Sequence, residues 1–142
     1  MNHMHFTHWR KQRQPLKLFQ LWRLIGWIMV GIVVYMSLTS NPVELPDLDY
    51  GDKIGHFSAY FMLMIWFAQL YRRTRHGWIL AAVLGLGIAL ELIQGQTAFR
   101  MFEYADIAAN AMGAISAWGL AKTPLARLIA RTEDVWLQST RE

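Results

Sequence analysis

LGIALELIQGQTAFRMFEYADIAANAMG, residues 86–113, sets one carboxylate, Glu91, inside an apolar run and another, Asp106, at the head of the next. If the segment from Trp78 to Ala98 crosses a bilayer as a helix, Glu91 lies about 10 Å from its nearer end at a rise of ~1.5 Å per residue. An ionised side chain there costs on the order of 2.5 kcal/mol or more unless it is protonated, paired or wetted. Glu91 therefore marks either a functional site or a polar contact that locks helices together. Gln94 shares its helical face, and Asn110 shares that of Asp106.

Working outward, the composition allows such spans. Of 142 residues, 54% are hydrophobic and 17% charged. Four apolar segments take up more than half the chain and leave no length for a separate soluble domain. The expected architecture is an all-α membrane protein, a four-transmembrane-helix bundle, in three parts. Residues 1–17 form a basic cytoplasmic tail, 18–121 the transmembrane domain, and 122–142 an amphipathic cytoplasmic tail. Cysteine is absent, so disulfides and thiolate metal sites are excluded. The net charge of +4 does not indicate nucleic-acid binding, because the basic residues sit at the ends of the apolar runs.

The start, MNHMHFTHWRKQRQPLK, is polar, basic and interrupted by Pro15. His3, His5 and His8 resemble a metal-binding tract, but no neighbouring residues would fix a geometry, and a solvated tail is the simpler reading. The first span, about Leu18 to Thr39, has Arg23 near its cytoplasmic end with Trp22 and Trp27 as interfacial aromatics. It also has the shape of a cleavable signal peptide, and cleavage would leave the later topology unchanged. SNPVELPDLDYGD then reads as an exposed acidic loop.

Lysine and arginine fix the orientation. Arg10, Lys11, Arg13, Lys17, Arg23, Arg72, Arg73, Arg75, Lys122, Arg127, Arg131 and Arg141 fall on one side, and only Lys53 and Arg100 on the other. The positive-inside rule places both termini in the cytoplasm and the acidic loop outside.

The second span, about Ile54 to Tyr71, opens with DKIGHFSAY, where Asp52, His56 and Tyr60 recur every fourth residue and share a face. Ser58 is turned away from His56, which argues against a local Ser/His pair. Arg72, Arg73, Arg75 and His76 form a basic hairpin loop that reads as a topology signal. The third span carries Ala81, Gly85 and Ala89, a ridge suited to close helix approach. The fourth, about Tyr104 to Ala121, carries the longer stripe Ala105, Ala109, Gly113, Ala117 and Ala121. Asp106 is either a polar member of the outer site or an N-terminal helix cap. After Lys122, Thr123 and Pro124 suit a helix start, and Leu125, Leu128, Ile129 and Trp136 suit an amphipathic helix on the inner membrane surface or docked on the cytoplasmic loops.

Asp52, Lys53, His56, Tyr60, Glu91, Gln94, Arg100, Asp106 and Asn110 thus come from three spans and a loop, all at the outer half of the bilayer. Close packing would gather them in one outward-facing polar pocket. The pattern D-K-x-x-H-x-x-x-Y at Asp52 to Tyr60, E-x-x-Q at Glu91 to Gln94, Arg100, and D-x-x-x-N-x-x-G at Asp106 to Gly113 resembles the VanZ-like family of small membrane proteins. The match covers about Asp52 to Gly119. The resemblance implies a multi-pass protein of the bacterial cytoplasmic membrane, in a family whose founding member is linked to teicoplanin resistance.

Two kinds of function fit these residues. In one, the pocket binds an anionic envelope lipid or a glycopeptide-like ligand without breaking a bond. Asp52, Lys53, Tyr60, Gln94, Arg100 and Asn110 would line it, and the cations would meet the anion. In the other, the protein is an enzyme acting on a lipid-linked envelope precursor. His56 would be general base or nucleophile, and Glu91 or Asp106 would orient it or supply a proton. No cofactor is expected, and a metal held by His56 with carboxylates is the weaker option, since one histidine without cysteine is a sparse donor set. No nucleophile elbow, phosphate loop or paired-histidine motif is present to name a reaction.

Overall fold

The computed structural model describes residues 16–40, 51–97, 101–123, 131–132 and 135–136. The histidine-rich start, most of the acidic loop, Arg100 and most of the expected C-terminal amphipathic helix lie outside these residues. Among the described residues there are four long helices and no strand. They are α1 (Phe19–Leu38), α2 (Gly51–Leu70), α3 (His76–Gln94) and α4 (Tyr104–Leu120). A single 3-10 turn, Arg73–Arg75, joins α2 to α3. Two segments, Phe19–Leu38 and Arg73–Gln94, are long and apolar enough to cross a membrane. Of the other two helices, α2 carries Asp52, Lys53 and His56, and α4, 17 residues long, carries Asp106 and Asn110, which lowers their hydropathy.

The most extensive helix pair is α2 with α4. Its closeness depends on Gly113, where a Cβ would overlap the backbone carbonyl of Phe57 and stand 3.1 Å from the amide nitrogen of Phe61. The small-residue stripe of α4 is buried at Ala109, Gly113, Ala117 and Ala121, while Ala105 at its start is exposed. Tyr60, Leu63, Met64 and Ala68 of α2 pack with Val83 of α3 and Ala114, Ala117 and Ala121 to form the core.

The ridge expected on α3 faces the other way. Ala81, Gly85 and Ala89 are exposed, and the buried face runs through Val83, Gly87, Leu90, Glu91 and Gln94. This phase puts Glu91 and Gln94 inside, where polar groups find partners, and it uses Gly87 as the close-approach residue. A Cβ there would stand 2.9 Å from the Tyr60 ring.

α1 buries only Gly26 and lies at the side of the bundle. It is held by edge-on ring pairs, Phe19 with Tyr71, Trp22 with Trp66 and Trp27 with Phe67, and by the Trp66 indole donating to the Trp22 carbonyl at 3.1 Å. At its far end the Gln94 amide donates to the Ser37 carbonyl at 2.7 Å.

Around this apolar core, several exposures depart from those of a water-soluble bundle. Trp78 is 80% exposed and Trp27 60%, while Glu91, Gln94, Asp106 and Asn110 are each under 5% exposed. Water rewards the opposite arrangement, and large exposed apolar faces on every helix mark a surface that meets something other than water.

Candidate functional site

The site assembles where α2 starts, α3 ends and α4 starts. α2 begins at Gly51, earlier than the apolar pattern indicates, so Asp52 and Lys53 already belong to the helix and stand one turn before His56. α3 stops at Gln94, short of the expected Ala98. The break is made by turn hydrogen bonds from Gln96 N to Ile93 O and Thr97 N to Gln94 O, and by the Thr97 hydroxyl donating to the Gln94 carbonyl at 2.7 Å. Glu91 therefore sits about 4.5 Å from the helix end at ~1.5 Å per residue, nearer the edge of the bundle than the longer span implied.

Asp106 is not the cap of α4. The residue preceding that helix is Glu103, whose side chain makes no capping hydrogen bond, while Asp106 lies in the first turn. A carboxylate there is favoured by the helix dipole. The same side chain accepts a hydrogen bond from Lys53 and is only 6% exposed.

Lys53 is the hub. Its ammonium pairs with Asp106, with Glu103 at 2.6 Å and with Asp52 at 3.5 Å. It precedes Ile54, where the apolar stretch of α2 begins.

Each aspartate divides its two oxygens. Lys53 takes Asp52 Oδ2 and Asp106 Oδ1. The remaining oxygens face the imidazole of His56, whose Nε2 is 3.8 Å from Asp52 Oδ1 and 3.5 Å from Asp106 Oδ2. On the other side of the ring, His56 Nδ1 is 3.0 Å from Asn110 Oδ1. An amide oxygen only accepts, so Nδ1 carries the proton, and in the neutral ring Nε2 presents its lone pair between the aspartates.

Glu91 lies beneath this group, 1% exposed and within electrostatic range of His56, Asp106 and Glu103. Its Oε1 accepts the backbone N–H of Glu103 at 2.7 Å, and its Oε2 has no hydrogen-bond partner. Tyr60 is buried below, its ring against Gly87.

Of the nine residues singled out from the sequence, Asp52, Lys53, His56, Asp106 and Asn110 meet directly, and Glu91 and Tyr60 lie beside them. Gln94 is tied to α1 through Ser37 instead, and Arg100 is outside the described residues. Glu103 is the member that sequence reasoning missed. Its signal was available, an acid one turn ahead of Asp106 at the head of a helix, but a loop residue has no face until the loop is placed.

The described end therefore gathers four carboxylates, Asp52, Glu91, Glu103 and Asp106, around one ammonium. Chemically, the arrangement can orient an imidazole, hold a proton or take up a cation. Lys53 has little left with which to capture an anion. No family model matches the chain, and no curated protein or solved structure does either.

Proposed function

We propose that the chain is a four-span membrane protein with both termini in the cytoplasm, and that its carboxylate-rich cluster is an outward-facing site for the polar head group of an envelope lipid. The observation that carries this reading is the combination of enclosed ionisable and amide groups with many large tryptophan, isoleucine, leucine and methionine side chains turned outward. Helices packed side by side share one slab. If α1 and α3 cross a bilayer, α2 and α4, which pack against them, occupy the same depth. A lipid reaches such a site laterally, and a bacterial cytoplasmic membrane is the setting that the VanZ-like motif pattern suggests.

The charge balance sharpens the ligand. With Lys53 engaged by three carboxylates, an anionic head group does not bind by pairing with that lysine. Its phosphate needs another positive charge, or the head group brings its own. One observation favours chemistry over simple capture, namely the hydrogen bond from His56 to Asn110, which fixes the ring with Nε2 facing the cluster.

The test is to extract the protein in polymer discs with its surrounding bilayer and to identify the retained lipids by mass spectrometry. One polar lipid class should be enriched over the bulk membrane and lose its enrichment in His56→Gln. A lipid composition equal to bulk in both proteins contradicts the proposal. Adding the enriched lipid to purified protein in liposomes then separates the mechanisms, since release of a head-group product means catalysis and unchanged lipid means binding.

A further inference from the structure

Among the described residues, Asp52, Glu103 and Asp106 share one lysine at this end of the bundle and Glu91 lies buried beside them, and a low-dielectric surrounding makes enclosed like charges costly. The divided oxygens show where further positive charge fits. Asp52 Oδ1 and Asp106 Oδ2, the oxygens other than those paired with Lys53, both face His56 Nε2, and these three residues offer one ligand atom each within 4.8 Å of one another.

The geometry points to a divalent transition-metal site formed by Asp52, His56 and Asp106, which serves as the electrophile that receives the phosphate of the head group. This rests on the lipid-site reading above and supplies a positive charge that Lys53, engaged by three carboxylates, does not. Imidazole with two carboxylates suits Zn2+ or Mn2+ rather than Mg2+ or Ca2+, which prefer oxygen alone.

Several features support it independently. Ligand bonds of about 2.0–2.1 Å to Zn2+ require neighbouring ligand atoms to lie roughly 3.3–3.4 Å apart in a tetrahedron. The two imidazole-to-carboxylate separations, 3.5 and 3.8 Å, are already close to that. Asp52, the half-exposed ligand at the start of α2, has the longer of the two separations and is the one that moves in. The hydrogen bond from Nδ1–H to Asn110 is the outer contact that metal-binding histidines commonly use, since it points the Nε2 lone pair at the ion. Lys53 plays the matching part for the carboxylates. Glu91 adds a separate sign, a fully buried carboxylate oxygen with no donor beside His56 and Asp106. Three protein ligands leave a fourth position, where a water or a phosphate oxygen would bind.

The experiment is equilibrium dialysis of the detergent-purified full chain against Zn2+, read by elemental analysis. His3, His5 and His8 are replaced by alanine in every sample so that the tail contributes nothing. One Zn2+ per chain is expected. Asp52→Asn should weaken binding at least tenfold, and it cannot be dismissed as misfolding, because its side chain is 53% exposed. Asn110→Ala should weaken binding about tenfold or more, and His56→Gln should abolish it. No stoichiometric Zn2+, or Zn2+ retained unchanged in both Asp52→Asn and His56→Gln, overturns the site. Stoichiometric Zn2+ lost in those variants, in a protein that enriches no lipid, keeps the metal site and removes the lipid reading. Lipid enrichment that survives complete chelation removes the metal from head-group capture.

Discussion

The two ends of the bundle solve opposite problems. At one end, Lys17, Arg23, Arg72, Arg73, Arg75 and Lys122 stand mostly exposed, and their contacts are peripheral. Arg73 donates to the Lys122 carbonyl at 2.5 Å, and the Lys122 ammonium lies 3.3 Å from the centre of the Trp118 ring. Among the described polar side chains at that end, His76 is the buried one, and it bonds the Tyr71 carbonyl. At the other end, charges are drawn between helices, and Lys53 with Asp106 and Glu103, His56 with Asp106 and Asn110, and Glu91 with the Glu103 amide each link one helix to another or to a loop. Solvated like charges set orientation at little cost, whereas enclosed unlike charges need geometry. The first arrangement suits a topology signal and the second a site.

If that contrast is real, equal truncations should have unequal effects. Lys53→Met strands Asp106 and Glu103 and should lower the unfolding free energy in detergent by about 3 kcal/mol. Arg73→Ala should cost no more than about 1 kcal/mol, because only an exposed hydrogen bond is lost. Comparable melting shifts in the two variants would erase the distinction.

Between the ends, Gly113→Ala forces α2 and α4 apart at the Phe57 carbonyl and should cost about 1–3 kcal/mol. Gly119→Ala, with open space around its Cβ, should be neutral or slightly stabilising by helix propensity. The pair is checked by thermal unfolding of both variants in one detergent. A harmless Gly113→Ala would mean that the site is not held by this contact.

Among the residues of the site, the smallest stability effect is expected at Glu91. Glu91→Gln keeps an oxygen to accept the Glu103 N–H and removes the titrating group, so unfolding should change by less than about 1 kcal/mol. Whatever lipid enrichment the protein shows should nevertheless fall. A large melting shift would make Glu91 a structural lock between α3 and the start of α4.

Helical spacing made much of this readable from residues alone. Asp52, His56 and Tyr60 lie on one face of α2, and Ala109, Gly113, Ala117 and Ala121 on one face of α4, because fourth-residue periodicity is a property of a single helix. What it leaves open is the phase of one helix against its neighbours. On α3, the Ala81 to Ala89 ridge and the Val83 to Gln94 face both contain a small residue, and only the need to enclose Glu91 and Gln94 chooses between them. Gln94 and Ser37 are 57 positions apart, and Lys53 and Glu103 are 50 apart, so neither pairing has a local signal. The end of α3 was likewise overrun, because hydropathy carries on past Gln94 while the backbone turns at Gly95 to Thr97.

The central claim is that these ends face opposite sides of a membrane, with the carboxylates outside. Since the chain has no cysteine, single cysteines at Glu44 and Thr74 can be treated with a membrane-impermeant thiol reagent in intact cells. Labelling of Glu44→Cys, with Thr74→Cys labelled only after the cells are opened, is the predicted result. Labelling of Thr74→Cys but not Glu44→Cys in intact cells would turn the cluster inward and contradict the account.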